Sequence, residues 1–97
     1  MPATSALVPT ANASRYLQQL CKHWAHKLEV SFTPEHGEVK LPDGAVATMD
    51  AGPEALDVRI EVGDAETLER MKDVVARHLD RFAFREAPLP FDWKDAA

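Results

Sequence analysis

The stretch Leu56-Asp57-Val58-Arg59-Ile60-Glu61-Val62 alternates apolar and charged side chains without an error. Successive residues of a strand point to opposite faces, so this pattern specifies a β-strand with one dry and one wet face. A dry face needs a cover, and the residues that follow provide one. Gly63-Asp64 ends the alternation, and Asp64 is placed to cap a helix whose first turn carries Glu66, as the helix dipole favours. Leu68, Met71, Val75, Leu79 and Phe82 form the apolar stripe of that helix. Glu66, Glu69, Arg70, Asp73, Arg77 and Asp80 fill its other side, with acid-first pairs Glu66/Arg70 and Asp73/Arg77 at the supportive four-residue spacing. The helix is expected to stop near residues 84–86, before Pro88.

Upstream of the decisive strand, Gly52-Pro53 marks a break, and Ala45, Ala47, Met49 and Ala51 share one face of a strand over residues 45–51. Its small side chains leave room for a helix or a ligand to approach the sheet closely, a tightly packed helix being the commoner use. Pro42-Asp43-Gly44 reads as a tight hairpin turn, because Asp-Gly tolerates the positive φ such turns require. Val39 and Leu41 alternate with Glu38 and Lys40, and Leu28, Val30 and Phe32 with Glu29, Ser31 and Thr33, so Pro34-Glu35-His36-Gly37 joins a hairpin with His36 as a solvated turn residue.

Before Leu28 the period is helical: Ala13, Leu17, Leu20, Trp24 and Leu28 lie on one side, with Tyr16 and Cys21 at the margins. Asn12 is the expected cap, with Thr10 as rival. Ser5 to Thr10 suit a short strand with Ala6, Val8 and Thr10 inward, and Pro9 puts that strand at a sheet edge or at its own end. Residues 1–4 are expected to fray, and the proline-rich tail to fold back and bury Phe91 or Trp93.

The order β-α-β-β-β-β-α, with short links between consecutive strands, predicts an α+β fold: a five-stranded, mainly antiparallel sheet with two helices packed on one face. It resembles the half-repeat of the TATA-box-binding protein and, more loosely, the helix-grip folds. The 97 residues suit one domain, 1–97, with an ordered core over about residues 5–93. At 45% hydrophobic and 28% charged, the composition is that of a soluble globule. A net charge of −5, with no run of lysine and arginine longer than two, argues against nucleic acid and anionic membranes as partners. A single cysteine excludes an internal disulfide framework, and the N-terminus lacks the basic start and apolar block of an export signal, so the expected location is the cytoplasm.

The chemistry-bearing side chains gather in Arg15–Lys27, which holds Cys21, His23 and His26. His23 and His26 are helical neighbours away from the apolar centre, where a wet face with two ordinary histidines is the simpler account. Cys21 and His23 point about 160° apart on a regular helix and cannot share a ligand through it. His78 falls at the margin of the second helix between Met71 and Val74, as a partly buried histidine with one satisfied nitrogen. Arg81, Phe82, Phe84 and Arg85, with Trp93, form a basic and aromatic strip of the kind interfaces favour, unless the phenylalanines are core. No triad or paired-acid arrangement appears, and Lys22, although next to Cys21 in sequence, faces another way and does not activate it. Enzymatic action is the weakest reading.

Arg15-Tyr16-Leu17, Gln19-Leu20-Cys21-Lys22-His23, His26-Lys27 and His78-Leu79-Asp80-Arg81-Phe82-Ala83-Phe84-Arg85-Glu86 together resemble the signature of a small bacterial family, domain of unknown function 2218. The resemblance spans roughly Ala6 to Trp93, with Trp24 where that family commonly has phenylalanine. It implies a setting among siderophore-interacting flavin reductases and iron-uptake systems, one of which would be the partner, and assigns no activity. The expected function is therefore a non-enzymatic binding or accessory role in iron handling, with His23, His26, His78 and, less directly, Cys21 meeting a transition metal, haem or iron chelate. The alternatives are a protein-protein interaction module, docking or dimerising through Arg81, Phe84, Arg85 and Trp93, and a carrier of apolar ligands in a helix-grip cavity.

Overall fold

The computed structural model describes residues 3–83, 85–86 and 89–95. The decisive strand runs Ala55–Glu61 (β5) and sits inside the sheet, with Leu56, Val58 and Ile60 fully buried. Ahead of it come β1 (Ala3–Pro9), helix α1 (Ala13–Trp24), β2 (Glu29–Phe32), β3 (His36–Lys40) and β4 (Val46–Ala51). After it comes α2 (Ala65–Phe82). The expected antiparallel sheet with two helices on one face is present. A two-residue strand, β6 (Lys94–Asp95), extends it to the order β2-β3-β4-β5-β1-β6.

This order explains the chain path. β1 lies beside β5, whereas β2 forms the far edge, so α1 must carry the chain across the sheet before β2 to β5 return as a meander. α1 therefore covers β2 to β5, and α2 packs beside it against β5. The layer between helices and sheet is filled by Leu17, Leu20, Met49, Leu56, Ile60 and Leu79, all fully buried. Those side chains occupy the space in which a helix-grip carrier would hold its ligand.

Where α1 crosses β3 the approach is very close. A Cβ added to Gly37 would stand 2.8 Å from Cys21 Sγ and 3.3 Å from Leu17 Cδ2. Gly37 is thus a β3 residue under the helix, not a turn residue, and His36 opens the same strand opposite Asp50. His36 Nδ1 lies 2.6 Å from Asp50 Oδ1 on the surface, so it is a cross-strand partner and not a bare turn histidine.

Several local expectations shift. Ala3 and Thr4, expected to fray, are buried members of β1, paired with Glu61 and Ile60. Thr4 Oγ1 also donates to the Lys94 carbonyl at 2.9 Å, tying β6 to β1. Pro42-Asp43-Gly44 forms a 3-10 turn with Gly44 at φ 76°, longer than a two-residue hairpin. Pro9 ends β1 at a position where β6 no longer pairs with it, so its missing donor is harmless. Asp64 caps α2 as its chemistry dictates, accepting from the Thr67 N–H at 2.7 Å. Asn12 occupies the α1 cap position without a side-chain capping bond. The tail folds back, but the residue it buries is Leu89, while Phe91 and Trp93 stay half-exposed and stack at 5.3 Å.

Gly37→Ala should destabilise the domain by about 1–3 kcal/mol, the usual cost of overpacking. Adding Cys21→Ala should recover part of that loss, and urea denaturation of the three proteins measures both effects.

Candidate functional site

The rotation of α1 decides which of its side chains meet α2. Cys21 sits against Gly37 with no exposed surface, and burial pushes its thiol up to about 11. It is an inert core residue facing the sheet. His23, on the other side of the helix, faces α2, where its ring centroid lies 5.8 Å from that of His78 and 5.7 Å from that of Phe82. His78 also stands 5.1 Å from the buried Trp24. Two histidines from different helices, far apart in sequence, thus become ring neighbours.

The half-buried His78 ring is oriented by Nδ1, 2.6 Å from the carbonyl oxygen of Val74. A carbonyl only accepts, so Nδ1 carries the donated proton, and Nε2 is the ring nitrogen left for other partners. The outer side of His23 is exposed. Desolvation on its inner side, followed by the nearby His78, Arg81, Lys27 and His26, holds it below the ordinary imidazole range. It is therefore neutral at physiological pH. Lowered affinity for protons leaves a neutral imidazole ready to act as a ligand.

His26 lies beyond the end of α1 and is exposed. Among the described residues no group of three or more His, Cys, Asp or Glu side chains is placed to hold a metal ion. The four candidate ligands thus separate into one pair, His23 with His78, one exposed histidine and one buried thiol. Of the interaction candidates, Arg81 is exposed beside Arg77 and His78 around a shallow cleft. Arg85 lines a second cleft with Arg15, Tyr16, Gln19 and Phe82. Trp93 is stacked on Phe91 in the tail, and Phe84 lies outside the described residues.

One polar cluster has no counterpart among the sequence expectations. The Glu86 carboxylate accepts from Thr10 Oγ1 at 3.0 Å, from Asn12 Nδ2 at 3.3 Å and from the Tyr16 hydroxyl. Thr10 Oγ1 in turn accepts from the Asn12 N–H at 3.1 Å. Asn12 and Thr10, rivals for one cap, both serve this carboxylate. The cluster bolts the β1–α1 corner to the turn that follows α2. The hydrogen bond from Tyr16 holds the Glu86 carboxyl below its ordinary value, and the same bond raises the Tyr16 phenol. The partners are 70 or more residues apart, so no local pattern announces them.

A second feature is visible in the sequence once the helix bounds are known. The first acidic residue of the chain is Glu29, so α1 and the turn after it carry Arg15, Lys22 and Lys27 with no acid among them. The net charge of −5 conceals this local positive surface.

The molecule is a two-helix, antiparallel-sheet α+β module. Its family follows from comparison: residues 5–94 match the family described as "Uncharacterized protein conserved in bacteria (DUF2218)", and the chain belongs to that family. It is similar to the NMR structure of PA4090 from Pseudomonas aeruginosa, with 36% identity, a TM-score of 0.81, and coverage of 97% of this chain and 96% of that one. No curated protein matches the chain. Among the described residues no helix is long and apolar enough to cross a membrane.

A carboxyl held below its unfolded value stabilises the fold at pH above that value, and this contribution disappears as pH falls through the lower, folded value. Glu86→Gln should therefore lower Tm at pH 7 and flatten the acid limb of the stability profile below about pH 4.5. Thermal melts of both proteins from pH 7 to pH 2 check this.

Proposed function

We propose that the chain is a non-enzymatic binding module whose His23–His78 margin takes a transition metal that arrives in a partly liganded, anionic chelate. The observation that carries this reading is the 5.8 Å approach of two imidazoles from different helices. With metal–nitrogen bonds of about 2.0–2.1 Å, two imidazoles on one ion have ring centroids roughly 5 Å apart, close to the separation seen here. The Nδ1–carbonyl bond of His78 is the outer-shell contact that commonly orients a ligating imidazole. Two protein ligands are fewer than the usual three or four, so the remaining positions belong to the chelator.

The surrounding charge favours the same form of metal. Arg81 and Lys27 raise the potential around His23, which repels a bare cation and attracts an anionic complex. An iron chelate fits this description, and the likeness to domains that accompany siderophore-interacting reductases supports iron handling as the setting, with such a reductase as partner.

Nickel nitrilotriacetate tests the reading directly, because it is anionic and leaves two adjacent coordination positions open. It should bind saturably, change Trp24 fluorescence through the neighbouring His78, and bind more tightly than nickel ion alone. His23→Ala and His78→Ala should each abolish saturation, whereas His26→Ala should leave most of the affinity. Binding that survives loss of His78, or no binding at all, would remove the proposal. Acidification below the depressed His23 value should weaken binding, since protonation removes the ligating lone pair.

A further inference from the structure

The two edges of the sheet differ in what they leave open. One is the two-residue β6. The other is β2, four residues long and paired on one side only, to β3. An open edge is a template for another strand, and proteins commonly blunt it with proline, a bulge or unpaired charge. β2 has none of these. Its register with β3 runs unbroken from Glu29↔Lys40 to Phe32↔Gly37, and its one charged residue, Glu29, is matched by Lys40 at 2.7 Å.

Hydrogen-bonded and non-bonded pairs alternate along antiparallel strands, so the ladder fixes which backbone groups of β2 face outward. The Thr33 N–H donates to the His36 carbonyl at 2.7 Å, which makes Ser31/Glu38 and Glu29/Lys40 the bonded pairs. The Ala51 N–H donating to the Glu35 carbonyl at 2.8 Å gives the same phase, because it turns the backbone of Gly37 and Val39 towards β4. The N–H and C=O of Val30 and Phe32 therefore point away from β3, off the open edge. Their side chains lie half-buried against the core, as does that of Leu28.

We propose that β2 docks a second copy of this chain, the two β2 strands pairing antiparallel about a two-fold axis at Ser31 and joining two sheets into one. The proposal uses neither member of the histidine pair and does not rest on the metal-binding reading. In this register the outward groups of Val30 in each copy meet those of Phe32 in the other, and all of them find partners. Neighbouring registers do worse. Centring on Val30 sets Phe32 against Leu28, whose N–H is taken by the Trp24 carbonyl at 2.8 Å, and centring on Phe32 sets Val30 against Pro34, which has no N–H. Around Ser31, the half-buried Val30 and Phe32 of the two copies cover each other, while Ser31 meets Ser31 and Glu29 meets Thr33, so no like charges stand directly opposite. The flank of α1 beside β2 is also uncharged: Ser14 Oγ donates to the Pro34 carbonyl and Gln18 Nε2 to Ser14 Oγ at 3.0 Å, whereas Arg15 and His23 lie towards α2.

Sedimentation equilibrium of the full chain over a broad concentration range, with EDTA present so that no metal bridges two copies, should show a monomer–dimer equilibrium. Amide hydrogen exchange followed by NMR should show Val30 and Phe32 gaining protection several-fold where the dimer predominates, with Ser31, whose N–H is already bonded to β3, unchanged. Ser31→Asp and Ser31→Lys should each weaken the dimer several-fold, since like charges directly opposite repel, and an equal mixture of the two should associate more tightly than either alone. Their amide spectra show that they are folded. Leu7→Ser, on β1, should dimerise as the unaltered chain does. The proposal is overturned if the chain stays monomeric, if it associates without protecting Val30 and Phe32, if the mixed Ser31 variants gain nothing over either alone, or if Leu7→Ser abolishes association. Protection of the same amides in a monomer only when an unrelated extended peptide is added would give the edge another occupant and overturn it equally.

Discussion

The close seat of α1 on β3, with Cys21 and Leu17 above Gly37, sets the rotation of the helix, and the rest of the molecular surface follows from it. With the thiol directed at the sheet, 100° per residue turns His23 towards the opposite side, where α2 lies. The same rotation sends Trp24 into the core and brings Arg15 and Gln19 to the rim of the cleft they share with Phe82 and Arg85. A bulkier residue at position 37 would lift or turn the helix, and the two imidazoles would be the first groups to part. The cysteine therefore sets the rotation of α1 from its place in the core.

The sheet and helices were legible because their periods are long and clean. Leu56 to Val62 could be read only as a half-buried strand, and Leu68 to Phe82 only as an amphipathic helix. Ala45, Ala47 and Met49 correctly announced a face that a helix could approach. What was not legible depends on contacts between distant residues. Gly37 looked like turn chemistry because its need for a small side chain comes from Cys21, which belongs to another element. The pairing of Thr4 and Ser5 with Asp95 and Lys94 is too short to leave an alternation in the tail. His23 and His78 could be placed at helix margins, but their meeting depends on which flank each helix turns inward, a property of the packing. Glu86 has no local pattern that marks it, and its three donors are visible only in three dimensions.

Net charge misleads in a chain whose charges are sorted by position. On the sheet side basic groups have acidic partners: Lys40 with Glu29 at 2.7 Å and Arg59 with Glu61 at 2.9 Å. Such exposed pairs contribute little stability, but they cancel the local field. α1 has no acid of its own to do the same for Arg15, Lys22 and Lys27, and the acid that reaches its first turn is Glu86, through Asn12 and Tyr16.

That separation bears on how a ligand would reach the histidine pair. At physiological ionic strength, screening acts over roughly 8–10 Å, so an anion near the helices would respond chiefly to the charges there, the basic groups of α1 together with Asp73 and Glu86. In the metal-binding reading proposed above, a histidine pair among cations would select its ligand by charge before any coordination bond forms.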